Sequence, residues 1–250
     1  MNEQIIVNSR LISYIRAGEM AEGDSVLFLH GWRSNKEVWN EIIKKLNNKV
    51  FAIDFPGFGK SQTPVKAMGV GDYAEDVAQF ITKLDLKNVI VVGHSFGGRV
   101  GIKLASKYPE LISRLVLVDS AGFVMEQSKK NLIGILAKIA KPFFKPKFMQ
   151  GLRKGIYKAI GAEDYLATPE LQETFVKVTG EDLSEDMTKI KCSALILNGE
   201  NDTDTPVEFG EKMHKLIKNS EFKVIAGAGH FSFIDKQNEF IKLLTNFIAK

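Results

Sequence analysis

Four short apolar runs, Val26 to Leu29, Val89 to Val92, Leu115 to Val118 and Ala194 to Leu197, each give way closely to Gly, Asp, Asn or His. Continuous apolar runs of this length mark strands buried on both faces, as in a parallel sheet covered by helices. Val50 to Asp54 and Phe222 to Ile225 have the same character. Between these runs, apolar residues recur at helical spacing over Trp39 to Leu46, Asp72 to Leu84, Phe96 to Lys107, Glu208 to Ile217 and Glu239 to Ala249. The alternation of strand and helix predicts a doubly wound, mostly parallel α/β sheet. Ile5 to Val7 and Leu11 to Ile15 have no helix between them, which predicts an antiparallel hairpin at the start.

The alternation stops at Phe123 and resumes after about Gly180. Apolar helical patterns in that interval are interrupted by Pro142, Pro146, Gly151, Gly155 and Pro169. The interval reads as an inserted helical cap, residues 123–180, between core segments 1–122 and 181–250. Ligands of open α/β sheets bind at the C-terminal edge of the strands, so such a cap would roof the site.

Charge adds one feature. The formal net charge is only +4, yet Lys129, Lys130, Lys138, Lys141, Lys145, Lys147, Arg153, Lys154 and Lys158 lie in the insertion with no acid among them. A basic cap on an acidic body is expected. The stretch reads first as a solvated helix face. Surface association with anionic lipid is the second reading. No basic run interleaved with exposed aromatics supports nucleic-acid binding. Cys192 has no partner for an internal disulfide, and the opening residues lack the pattern of a secretory signal, so a cytoplasmic protein without stable membrane insertion is expected.

The sharpest motif is Gly93-His94-Ser95-Phe96-Gly97, set between an expected strand and an expected helix. A serine there occupies a tight turn, flanked by glycines because a Cβ would crowd it, with a helix N-terminus aimed at any oxyanion formed beside it. Ser95 is the candidate nucleophile. It needs a base, and of His30, His94, His214 and His230 only His230 follows the last strand, in a small-residue loop able to return to the sheet edge. The acid that orients the imidazole should end a strand between the two. Asp202, after the strand Ala194 to Leu197, is preferred, with Asp204 and Asp119 as competitors. The backbone N–H groups of Phe96 and Trp32 are the candidate oxyanion donors. Trp32, Phe96, Phe123 and Phe231 are the candidate apolar walls of the substrate pocket, and the apolar insertion favours small, largely apolar substrates.

With these residues the chain resembles the α/β-hydrolase superfamily, in the helical-cap branch, over nearly its whole length. The likeness is carried by His30-Gly31-Trp32, Asp54-Phe55-Pro56-Gly57-Phe58-Gly59-Lys60-Ser61, Gly93 to Gly98, the spacing of Gly199, Asp202 and Pro206, and Gly229-His230. The spacing in relatives implies Asp202 rather than Asp204 as the acid. The resemblance implies an esterase working through an acyl-enzyme on a small-molecule ester. Carbon–carbon bond hydrolysis, a menaquinone-pathway-like lyase reaction, or a slow-turnover ligand receptor are the alternatives on the same triad. Relatives that dehalogenate or open epoxides carry aspartate where Ser95 stands. No metal or nucleotide cofactor is expected, since clustered cysteines, helical histidine pairs and a phosphate-binding loop are absent from the sequence.

Overall fold

The computed structural model describes residues 1–18, 24–124 and 168–250. Most of the expected cap, including the nine basic residues from Lys129 to Lys158, lies outside them.

Eight strands form one sheet in the order β1-β2-β4-β3-β5-β6-β7-β8. They are β1 (Asn2–Val7), β2 (Arg10–Ala17), β3 (Ser25–Leu29), β4 (Lys49–Ile53), β5 (Val89–His94), β6 (Ile112–Val118), β7 (Ser193–Gly199) and β8 (Ser220–Ile225). β2 runs antiparallel to both β1 and β4, and every pairing from β4 to β8 is parallel. The first two strands thus make the expected hairpin.

The apolar runs are continuous because the pleat sends alternate residues into two cores. On one face Leu27, Leu29, Val89, Val91, Leu115 and Leu117 pack under α2 (Val70–Lys83) and α3 (Phe96–Lys107). On the other, Val26, Phe28, Ile90, Val92, Val116 and Val118 meet Trp39, Ile42, Phe240 and Leu244. β3, β5 and β6 therefore need apolar side chains throughout these runs.

Three further helices of the first face and its surroundings follow: α4 (Gln172–Gly180), α5 (Ser184–Lys189) and α6 (Val207–Leu216). The chain closes with α7 (Ser232–Asp235) and α8 (Gln237–Ile248). The helix expected over Trp39 to Leu46 is shorter than its pattern implied. A 3₁₀ turn, Lys36–Trp39, leads into a single helical turn, α1 (Asn40–Ile43), because Trp39 and Ile42 already bury the apolar face. α5 and α7 carry too few turns to show a periodic pattern, and neither was expected.

The strand order reverses between β3 and β5. From β3 the chain moves outward to β4, then crosses back to lay β5 on the other side of β3. Register places Leu29 beside Gly93, His94 beside Val118, and Val118 beside Leu197. The loops that leave these strands consequently open on one crevice, where an α/β sheet binds its ligands.

Candidate active site

Ser95 sits between β5 and α3 with φ +51° and ψ −110°. A side chain other than glycine in that region is strained, by about 1–3 kcal/mol, and persists only where its surroundings over-determine it. They do so here. Ser95 N–H donates to the Val118 carbonyl at 3.0 Å, and the Ser95 carbonyl accepts from Gly98 at 3.0 Å and Ala121 at 3.3 Å. A Cβ on Gly93 would overlap the Gly97 carbonyl, and one on Gly97 would overlap the Leu29 carbonyl. The two glycines let strand, turn and helix close up, and the serine is left partly exposed at the apex.

His230 arrives from the loop after β8. Its Nε2 lies 3.1 Å from Ser95 Oγ and its Nδ1 lies 2.9 Å from Asp202 Oδ2. Asp202 is buried, and its other partners are the Thr205 hydroxyl at 2.7 Å and the backbone N–H groups of Asp204 and Thr205 at 2.8 and 3.0 Å. Burial pushes its carboxyl pKa up, but the hydrogen bonds from His230 and Thr205 together outweigh burial and hold the pKa below the ordinary aspartate value. Burial pulls the imidazole of His230 down. The bond to Asp202 and the charges of Asp202, Asp204 and Asp119 outweigh it, and the net shift is upward from 6.5. The pocket thus stabilises the imidazolium more than water does.

Two buried groups outside the triad, Asp119 and His94, hold the loops in place. Asp119, next after β6, accepts from Gly199 N–H at 2.7 Å and from Ser232 N–H at 3.0 Å, so both its oxygens are spent on backbone. Burial raises its pKa to about 6. Asp204, the other competitor, is exposed and touches neither ring nitrogen. His94 is buried, its Nε2 lies 2.7 Å from the His230 carbonyl, and burial and the neighbouring His230 lower its pKa to about 3. A neutral His94 therefore donates from Nε2 and anchors the histidine loop. Thr205 was missed, although an Asp followed three residues later by Thr is the pattern of a side chain closing its own turn.

The loop after β3 completes the crevice. A Cβ on Gly31 would stand 3.4 Å from Ser95 Cβ, so this backbone lies against the serine. The N–H groups of Trp32 and Phe96 donate to no acceptor among the described residues. His30 is buried, with Nδ1 2.7 Å from the Gly31 carbonyl and Nε2 accepting from Phe55 N–H at 3.0 Å, which fixes where that loop leaves the strand. Burial lowers its pKa to about 4.

The four expected pocket walls are placed differently from one another. The ring of Trp32 stands edge-on to Phe58 and Phe96 and tilted against Phe175 of α4. Phe96, expected to wall the pocket, is instead buried in the core between Trp32, Phe55 and Tyr73. Phe123 packs on Phe209, and Phe231 is exposed beside His94. Among the described residues, Asp202, Asp204 and His230 bring ligand atoms within 4.8 Å of one another. A metal there would compete with the bond between His230 and Asp202.

The model of the α/β-hydrolase fold family matches residues 24–156, more than half of the chain. This chain belongs to that family. A second model, described as TAP-like protein, matches residues 176–250 of the α/β hydrolase. It is 25% identical over 252 residues to the AB hydrolase superfamily protein YisY of Bacillus subtilis, covering 92% of this chain and 93% of that one. To the 2-hydroxy-6-oxo-2,4-heptadienoate hydrolase of Pseudomonas putida it is 24% identical over 258 residues, with 92% and 91% covered. Its structure resembles that of a membrane phospholipase A described as a bacterial virulence factor, with a TM-score of 0.80, 25% identity, and coverage of 100% and 86%. Among the described residues, no helix is long and apolar enough to cross a membrane.

Proposed function

We propose that this α/β hydrolase is a serine esterase that cleaves carboxylic esters of small, largely apolar molecules through an acyl-enzyme. The observation that carries the reading is the unbroken chain from Ser95 Oγ through His230 to Asp202, at 3.1 and 2.9 Å, on a strained turn that opens a helix. In this reading His230 takes the proton of Ser95 as the hydroxyl attacks the ester carbonyl, and Asp202 stabilises the imidazolium. The tetrahedral oxyanion is held by the N–H of Phe96 at the start of α3 and that of Trp32 in the loop after β3. His230 then returns the proton to the departing alcohol, and water repeats the cycle on the acyl-enzyme. Trp32, Phe123 and Phe231 line the pocket, while Phe96 supports it from the core.

A second reading is carbon–carbon bond hydrolysis, favoured by the likeness over most of both chains to the Pseudomonas putida dienoate hydrolase. A panel of p-nitrophenyl esters of graded chain length, run beside a vinylogous 1,5-diketone and followed by product analysis, separates the two. Saturable ester turnover with fluorophosphonate labelling of Ser95 supports the esterase. Cleavage of the diketone alone favours the second reading, and labelling without either turnover sinks both.

A further inference from the structure

His94 closes β5 one residue before the nucleophile, in register with Val118 of β6 in the middle of the sheet. The residue is 1% exposed, and its ring is held on several sides. Trp39 and Phe233 stand edge-on to it at 6.5 and 5.1 Å, and Phe231 lies tilted against it at 4.9 Å. Nε2 lies 2.7 Å from the His230 carbonyl, across 136 residues of chain. A carbonyl only accepts, so Nε2 carries the proton and Nδ1 a lone pair. Nδ1 has no hydrogen-bond partner among the described residues. It faces Gly31, where a Cβ would stand 2.8 Å away.

The loop that carries His230 is tied on either side of that residue. The Ala228 carbonyl accepts from Asn201 N–H at 2.8 Å, Gly229 N–H donates to Asp235 at 2.8 Å, and Ser232 N–H donates to Asp119 at 3.0 Å. At His230 itself no backbone-to-backbone hydrogen bond forms among the described residues, and the tie is the ring of His94. An apolar side chain of similar volume would fill this space without burying an unpaired nitrogen, so packing alone does not account for an imidazole here. What the imidazole supplies is one donor at a fixed reach from the residue next to Ser95. Burial and the neighbouring His230 keep it neutral, with a pKa of about 3, so the donor persists at ordinary pH.

We infer that His94 is a positioning residue that sets the height of the His230 imidazole above Ser95 through its hydrogen bond to the His230 carbonyl, while its other edge spaces the Gly31 loop from the same point. The inference rests on the reading in which Ser95, His230 and Asp202 work as a triad. Without the donor, the His230 carbonyl loses its partner, and the imidazole is no longer referenced to the strand that carries the nucleophile. Misplacement of a base is felt when the proton moves and not when the substrate binds. It lowers kcat and kcat/KM together and leaves KM unchanged.

The test compares wild type with His94→Leu, His94→Asn and His94→Gln. Glutamine carries its amide nitrogen about as far from the backbone as Nε2 of histidine, and asparagine only as far as Nδ1. The readouts are kcat and KM on p-nitrophenyl acetate and butyrate, the rate of fluorophosphonate labelling at Ser95, and the low-field proton resonance of the hydrogen bond between His230 and Asp202. His94→Leu should lower kcat about 100-fold on both esters, with KM within about twofold, and should slow labelling and displace or broaden the resonance. His94→Asn should resemble it. His94→Gln should restore the resonance and bring kcat to within about fivefold of wild type. A folded His94→Leu with kcat within about threefold of wild type, or a loss carried by KM alone, overturns the inference. So does a His94→Gln no better than His94→Leu, since the role is then packing. If His94→Leu does not fold, His94→Asn against His94→Gln decides by the same comparison. If wild type neither labels nor turns over esters, the esterase reading fails by itself and the resonance decides the positioning: absent from wild type, or the same in every variant, it overturns the inference.

Discussion

Lys36 Nζ lies 2.7 Å from Asp54 Oδ2, and both side chains are buried, at 1% and 0% exposure. The same carboxylate accepts the backbone N–H groups of Lys36 at 2.7 Å and Lys60 at 2.8 Å. The pair thereby joins the loop carrying Gly31 and Trp32 to the loop after β4. Removing one partner of a buried pair leaves the other charge without compensation, at a cost of about 3–5 kcal/mol. Lys36→Met should therefore lose stability of that order in urea unfolding at pH 7. A loss under about 1 kcal/mol would mean that the backbone donors alone satisfy Asp54.

At Ser95 the expected outcome is loss of fluorophosphonate labelling in Ser95→Ala and a fall in ester turnover of about 10⁶-fold, since members of such a triad act as a unit. The backbone makes a separate prediction. Alanine keeps the strain of φ +51°, whereas glycine relieves it, so Ser95→Gly should unfold at higher denaturant than Ser95→Ala by about 1 kcal/mol. Equal midpoints would show that the turn stores no strain at this residue.

Asp202 and Asp119 should separate activity from stability. Asp202→Asn keeps a hydrogen-bonding group beside His230 but cannot support the imidazolium, so kcat should fall by about 10⁴-fold. Asp119→Asn replaces one of two acceptors for backbone N–H groups by a donor, so it should lower the melting temperature while most of kcat remains. Steady-state kinetics and thermal melts of both variants test this. An inactive, fully stable Asp119→Asn would reassign the acid.

The pH profile follows from the charges around His230. A general base must be neutral, and acids outweigh burial in raising this imidazole above 6.5. The acid limb of kcat/KM should accordingly have its midpoint above pH 6.5, with activity lost as pH falls through it. Asp204→Asn removes one of the acidic charges that raise the value and should move the limb to lower pH. Profiles from pH 5 to 9 on one ester decide, and a limb that moves upward contradicts the electrostatic account.

The runs Val26 to Leu29, Val89 to Val92, Leu115 to Val118 and Ala194 to Leu197 announce their strands because a strand covered on both faces requires apolar residues throughout. The turn at Ser95 was legible for a similar reason. Its glycines, strand and helix are neighbours in sequence, and the steric demand at Gly93 acts within five residues, although that at Gly97 comes from the Leu29 carbonyl. Long amphipathic helices such as α2 and α8 were visible through their period, while α5 and α7 are too short to have one. Phe96 shows the limit of the method, since an aromatic ring beside a nucleophile has the same sequence signature whether it faces a pocket or the core.

Sequence by itself therefore determined the order of strands and helices, the turn that presents Ser95, and the loops from which an acid and a histidine could come. Tertiary structure alone decided that His230 comes within 3.1 Å of Ser95 across 135 residues, that Asp119 spends its carboxylate on two loops, and that Lys36 and Arg99 are buried. Local steric and solvation preferences leave a trace in the few residues that they constrain. A buried charge or a closed hydrogen-bond chain depends on which distant loops share a crevice, and that is fixed only when the sheet reverses its strand order between β3 and β5.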